Sequence, residues 1–543
     1  MFDNTVVVFL VILSACAAAL HSLRFKPSPY INALLGVLAL FSVWFYTEYG
    51  HFHWVKKTDP TFMEANHGSS DKRTYFHWHE IYHYYLGAKY YPELNNYGLY
   101  EAVALADHES GNQYIQVPRV RDLSNKLQSI TYTEALERAR TIYKPRFTEA
   151  RWKEFSDDLA YMKSIAPRDW LDLGMYDAGF NPTPAWCVIG TPLANLLPIT
   201  PPSTSLPATW DKAELLPLID VVLLLIALGF IWHTFGTIPL LLFVITFGTS
   251  FVASERWIAG SFLRYPWLVT LIIGICMMRK ERWLAAGMLL GFSAAMLIFP
   301  VVFGMGAAVA LGWRVYQNKK AARKQLIEFA AGFAGICLLL FVLSLLMFGW
   351  SYWEIFFSQI GIHKNMFYVW HIGYRRVAVW DTWVPNQTFW WSEGLSNFTA
   401  WNARLNMSWD SQQWFQLPIM CSLLAAAGWG SRKLQPEETT LLVGGLTLFL
   451  FAIPANYYYI YCSLIPCVFY AVHKGSRERA LLIAFMLLWF MIYLLPNFSR
   501  DDLVKNYYIC IAITAYFLFW VGIRFFDEKS RLSRYLAKTF LQK

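Results

Sequence analysis

Runs of about 20 uncharged, apolar residues recur along this chain between short charged stretches, and an α-helix needs a run of that length to cross a bilayer. No soluble core takes up so many. Composition agrees: 56% of the 543 residues are hydrophobic and only 15% are charged. The runs predict an all-α polytopic membrane protein with about 13 transmembrane helices. They fall at 5–22, 31–48, 215–235, 237–254, 262–278, 283–298, 299–313, 326–349, 415–430, 439–453, 457–473, 479–496 and 506–525. Phe299-Pro300 separates the sixth from the seventh, because proline removes a helix hydrogen bond and favours a break.

Orientation follows from Lys and Arg, which accumulate in cytoplasmic loops. Arg24 and Lys26, Arg279 to Arg282, Arg314 to Lys324, Arg432 with Lys433, Lys474 to Arg479, and the tail after Arg524 all fall on one side of the 13-span arrangement. That side is predicted to be cytoplasmic, with the N-terminus outside and the C-terminus inside. The first span has Asp3 before it, not a basic stretch, and is read as a retained helix. The chain then divides into two N-terminal helices (1–48), a first large outer loop with amphipathic helices (49–214), transmembrane helices 3–8 (215–349), a Trp-rich second outer loop (350–414), helices 9–13 (415–525) and a basic cytoplasmic tail (526–543).

Several function classes drop out. The net charge of +9 is accounted for by cytoplasmic loops facing a lipid bilayer, so no nucleic-acid partner is implied. No GxxxxGK[ST] phosphate loop occurs, and no nucleotide or redox cofactor is expected. Seven of the eight cysteines lie in predicted spans and only Cys187 is in an outer loop, so no disulfide framework is implied. The span interiors are nearly free of ionisable residues, apart from Asp220 and His233, which favours chemistry at the outer face over conduction.

In the first outer loop, Phe76 to Tyr91 is aromatic throughout, and Tyr82, Tyr84, Tyr85, Tyr90 and Tyr91 suit the headgroup zone. Helical spacing is read over Thr133 to Tyr143 and Thr148 to Lys163, with Trp152, Phe155, Leu159 and Met162 on one packing stripe. The proline-rich stretch 179–214 reads as irregular or re-entrant. Within the aromatic segment, His79-Glu80-Ile81-Tyr82-His83 matches HExxH. On a helix His79 and His83 share a face and can hold one metal, with Glu80 alongside as a base. Third-ligand candidates are Glu101, Asp107, His108 and Glu109. Alternatively, these histidines simply hydrogen-bond interfacial hydroxyls.

A second reading covers more of the chain. The segment Glu80 to Lys89 followed by Tyr97 to Glu101, the stretch from Arg264-Tyr-Pro-Trp267 through Met278 to Gly291 and Ile298-Phe-Pro300, and Tyr352 to Tyr374 together resemble the GT-C glycosyltransferases, in their mannosyltransferase-like branch. The resemblance is diffuse and runs the length of the chain. It implies an integral membrane enzyme that moves a sugar from a polyprenyl-phosphate donor to a glycan, lipid or protein acceptor at the non-cytoplasmic face, with Glu80 as general base. It also implies a bacterial inner membrane and a possible divalent cation, magnesium or manganese. Two positions depart from the family pattern: His79-Glu80 stands where a pair of acids is common, and Met296-Leu297 where a basic residue is common before the proline.

Sugar transfer needs a carboxylate to take the acceptor proton and cations for the departing lipid phosphate. Glu80 supplies the first. Arg256, Arg264, His371, Arg375 and Arg376 are the candidates for the second, with the Arg375-Arg376 pair beside His371 foremost. Trp380, Trp383 and Tyr457 are candidates for stacking against sugar or acceptor. Two other classes stay open. A membrane zinc metalloprotease would use His79, His83 and Glu80, and a non-catalytic membrane subunit or transporter would use neither set.

Overall fold

The computed structural model describes residues 29–47, 53–56, 71–111, 115–165, 174–199, 212–250, 258–317, 320–382, 395–472, 476–498 and 502–525, with Leu13. The predicted tail at 526–543 and nearly all of the first predicted span lie outside the described residues. Within them the fold is all-α, interrupted by two small antiparallel hairpins: His53–Lys56 pairs with Asp71–Thr74, and Arg119–Arg121 pairs with Ser129–Thr131 in the register Val120 to Ile130.

Four helices are long and apolar enough to cross a membrane: Pro29–Tyr46, Ala213–Phe235, Ala321–Phe348 and Leu503–Phe525. Thr237–Gly248, Pro266–Arg279 and Trp283–Leu297 are apolar but shorter. Helices Val301–Gln317, Pro436–Phe451 and Ser476–Phe498 occupy three more of the expected spans. The break at Phe299-Pro300 is present, with Ile298 turning through a φ of 59° just before it. Elsewhere the expected boundaries move. The span expected at 415–430 is the end of a 36-residue helix, Leu395–Gly430, that begins inside the predicted second loop. The span expected at 457–473 starts as a 3-10 turn, Asn456–Ser463, before the α-helix Leu464–Val472.

Helices Trp283–Leu297 and Ala321–Phe348 cross in close contact, and glycine permits it. A Cβ on Gly287 would stand 2.1 Å from the Phe329 carbonyl oxygen, and one on Gly332 would stand 2.3 Å from that of Leu284. Small residues let helix backbones approach to this degree where lipid, and not water, surrounds them.

The described residues between 75 and 199 fold into a packed unit. Trp152, Phe155, Leu159 and Met162, from helix Glu149–Ile165, are buried as the stripe predicts. The tyrosines expected at the headgroup zone are instead core residues: Tyr82, Tyr85, Tyr90 and Tyr91 have no exposed surface and Tyr84 is 8% exposed. Three of these hydroxyls find internal acceptors, which favours such burial: Tyr85 donates to the Leu197 carbonyl, Tyr90 to Asp158 and Tyr91 to Asn96. Lys89, fully buried, pairs with the equally buried Asp158 at 2.6 Å and with Glu154 at 2.8 Å. The stretch expected to be irregular after 179 contains the helix Pro184–Leu196. Thr183 caps it by accepting the Trp186 N–H, and Pro184 sits in the first turn, where a missing N–H costs nothing. Thr183 also donates to the Ala295 carbonyl at 2.6 Å, tying this unit to helix Trp283–Leu297.

Candidate active site

The HExxH segment opens a run of short helical turns. Trp78–Ile81 is α-helical and Tyr82–Leu86 widens into a π-turn, a device that often re-aims side chains at functional sites. The His77 N–H donates to the Gly260 carbonyl at 2.8 Å, so this run is held directly against the loop that carries Arg264.

His79 and His83 lie side by side, with ring centroids 4.6 Å apart. His79 Nε2 is 2.9 Å from Asp177 Oδ2. His83 Nδ1 lies 2.9 Å from the His79 carbonyl oxygen, which can only accept, so Nδ1 carries the proton. Nε2 then accepts from the Tyr100 hydroxyl at 2.9 Å, and that hydroxyl in turn accepts the Gly179 N–H at 3.0 Å. Burial, helped by His79, pushes the His83 pKa down to about 3, which keeps it neutral. For His79 burial acts downward too, but the hydrogen bond and charge of Asp177 overcome it and the pKa is raised. Burial works against the Asp177 anion, yet the His79 bond holds its carboxyl well below the usual carboxylate range. The two shifts favour His79 and Asp177 as an ion pair, about three-quarters shielded from solvent.

Two imidazoles and a carboxylate are a donor set suited to zinc or a similar transition metal more than to magnesium. One ligand atom each from His79, His83 and Asp177 lies within 4.8 Å of the others. Every one of these nitrogens already has a hydrogen-bond partner, so a cation would have to replace the His79–Asp177 bond and one bond of His83.

Glu80 faces a different neighbour. Its Oε2 lies 2.9 Å from Arg264 Nε, with the side chains 15% and 4% exposed. Burial raises the Glu80 pKa, and the charges of Arg264 and His79 restrain the rise. The Arg264 guanidinium bonds the Tyr84 hydroxyl and lies 4.3 Å from the Tyr84 ring and 5.2 Å from that of Tyr457. Its backbone is anchored separately: Asp220, at the start of helix Leu218–Phe235, accepts the Arg264 N–H at 2.7 Å and the Tyr265 N–H at 3.3 Å. Residues 80, 264 and 457 thus meet at one place.

The second predicted cationic group lies apart from this cluster and is engaged in holding its own loop. Arg376 donates to the carbonyls of Tyr368, Val369 and His371. Arg375 bonds the Lys364 carbonyl and Asn406 and stacks on Phe367 and Trp409. His371 is buried, 6.2 Å from the His363 ring, and its backbone bridges to Ala455. Through that bridge the loop reaches Tyr457, since Ile372 N–H donates to the Pro454 carbonyl and Asn456 N–H to that of Trp370. Trp380 is 63% exposed. Arg256 and Trp383 lie outside the described residues.

Of the four proposed third ligands, Asp107 and Glu109 are engaged elsewhere and His108 is exposed. Asp107 pairs with Lys163 at 2.5 Å, and Glu109 bonds Lys144 and the Trp152 indole. Glu101 is buried, its pKa pushed up to about 8 mainly by desolvation. Asp177, Asp220, Tyr84 and Tyr100 are the residues that sequence reasoning left out of the site. Asp220 carried the one available signal, an acid at the mouth of an apolar run. No family model, curated protein or solved structure matches this chain.

Proposed function

We propose that the chain is a polytopic membrane glycosyltransferase that moves a sugar from a polyprenyl-phosphate donor to an acceptor hydroxyl at the non-cytoplasmic face, with Glu80 as general base. The observation that supports this best is the meeting of Glu80, Arg264 and Tyr457, a carboxylate, a guanidinium and an aromatic face, at a cluster only partly closed to solvent. In this reading Glu80 takes the acceptor proton as the hydroxyl oxygen attacks the anomeric carbon. The bond from that carbon to the phosphate oxygen breaks, and the phosphate leaves with the electron pair. Arg264 is suited to receive it, because its planar fork matches phosphate oxygens. When Arg264 turns to the phosphate, Glu80 loses its counter-charge and becomes a stronger base. A divalent cation, if one takes part, would be held by His79, His83 and Asp177 and would add positive charge beside the donor.

The wider arrangement belongs to the same proposal: about 13 spans, the N-terminus and both large loops outside, the C-terminus inside, and residence in a bacterial inner membrane. A second reading, zinc-dependent hydrolysis, draws on the proximity of Asp177 to His79 and His83, which completes three donors. Against it stands the engagement of Glu80 with Arg264. The test is turnover of polyprenyl-phosphate sugar in membranes by the wild type and by Glu80→Gln, paired with metal analysis of the purified protein. Loss of turnover in Glu80→Gln supports the transferase. Retained turnover overturns it, and stoichiometric zinc that disappears on mutating His79 or His83 moves the assignment to the hydrolase.

A further inference from the structure

On the other side of the segment that carries Asp177 lies a second group of cations. Lys126, in the turn between strands Arg119–Arg121 and Ser129–Thr131, is 1% exposed. Its ammonium donates to Asn181, a neutral amide, and it pairs with no carboxylate among the described residues. Arg121, fully buried, donates to the Tyr176 carbonyl at 2.6 Å and to the Lys126 carbonyl at 2.5 Å, and its guanidinium lies over the rings of Phe398 and Tyr368. Tyr368 adjoins His371, and His371 adjoins His363, with ring centroids 5.1 and 6.2 Å apart. The His363 imidazole makes no hydrogen bond among the described residues and is half-buried.

The charges here do not balance. Asp177 is the carboxylate whose field reaches Lys126, and it is already matched by His79. A buried ammonium held by a neutral amide is costly, and burial together with Arg121 lowers the Lys126 pKa to about 7. By contrast, the other buried lysines of this unit, Lys89 and Lys163, each have a carboxylate within 2.6 Å. Of the three, Lys126 alone has no carboxylate partner among the described residues, so an anion brought to it would supply the missing counter-charge.

We propose that Lys126 and His363, backed by Arg121, form an anion subsite for a phosphate or carboxylate group on the acceptor, distinct from Arg264. That the anion belongs to the acceptor rests on the transferase reading; that an anion binds at Lys126 does not. Arg264 serves the donor side in that reading, so the two cationic centres flank the His79–Asp177 pair and Glu80.

The test is thermal unfolding of the purified full chain in detergent, titrated with inorganic phosphate against chloride at constant ionic strength. Wild-type protein and Arg264→Gln should both show a saturable rise of about 2 °C. Lys126→Met should show none, while its midpoint in chloride equals or exceeds the wild-type value, because an unpaired buried charge has been removed. Lys126→Arg should retain the response. A saturating short-chain polyprenyl phosphate should leave the rise intact, since the carrier phosphate belongs at Arg264. Four results would overturn the proposal: no phosphate response in the wild type, an equal response in Lys126→Met, loss of the response in Arg264→Gln, or its abolition by polyprenyl phosphate. These readouts need no turnover, so they stand apart from the Glu80→Gln assay that decides the transferase.

Discussion

Replacing Arg264 by Gln removes a guanidinium that is 4% exposed and leaves Glu80 facing it without a counter-charge. Breaking a fully buried pair in this way costs ~3–5 kcal/mol. Glu80 is 15% exposed and burial already raises its pKa, and both facts reduce the cost, to about 2 kcal/mol. Lost contacts with the Tyr84 and Tyr457 rings add about 1 kcal/mol. Glu80→Gln alone should cost about 2 kcal/mol, because Arg264 keeps its rings and the Tyr84 hydroxyl. The double variant should lose only about 3 kcal/mol, so the coupling energy is about 2 kcal/mol.

The pH dependence carries a sign. The Glu80 pKa lies above its unfolded value, so its burial opposes folding increasingly as pH rises through that interval, and Arg264 limits the loss. The Arg264→Gln deficit should therefore be smallest where Glu80 is protonated in both states and grow as pH rises through its raised folded value. Unfolding in mixed micelles, followed by tryptophan fluorescence, measures all four corners of the cycle. Additive single losses, or a deficit that does not change with pH, would refute the pairing argument.

Asp177→Asn should destabilise by about 1–2 kcal/mol at pH 6, and by less at pH 9, by the same unfolding assay. The contribution of His79, raised by its partner, is full below its unfolded pKa and fades as pH climbs through the folded one; that of Asp177 is lost only as pH falls through its depressed value. Lys89→Met should cost ~3–5 kcal/mol, because Asp158 has no exposed surface and loses the ammonium 2.6 Å away, and adding Asp158→Leu should recover much of it. Gly332→Ala should cost about 2–3 kcal/mol, measured by SDS-induced unfolding, since its Cβ meets the backbone oxygen of Leu284.

What the sequence disclosed depended on the range of the physics involved. Apolar periodicity is local, and it placed most helices; the break at Phe299-Pro300 follows from one residue. The long helix Leu395–Gly430 was missed because it runs on from a polar, Trp-rich stretch into an apolar one, and hydropathy marks only the second. Proline density hid Pro184–Leu196, although Thr183-Pro184 is itself a helix start. At the site, Glu80, His79, His83, Arg264 and Tyr457 were all legible as residue types. Their grouping was not, because it depends on contacts such as that between residues 80 and 264. Asp177 stands 94 positions beyond His83 in a stretch, Gly174-Met-Tyr-Asp-Ala-Gly179, with no recognisable pattern. The Arg375-Arg376 pair drew attention through its charge, yet carbonyls and rings of its own loop surround it.

Asp220 has a consequence beyond anchoring a loop. It lies in the first turn of Leu218–Phe235, within a helical run long and apolar enough to cross a bilayer, and its two oxygens grip the backbone at Arg264 and Tyr265. Tilt or vertical displacement of that helix cannot occur without dragging the guanidinium relative to Glu80. With that helix spanning a bilayer, the thickness and lateral tension of the lipid would act as mechanical inputs to the carboxylate–guanidinium distance, and the stability of the pair should differ between short-chain and long-chain bilayers.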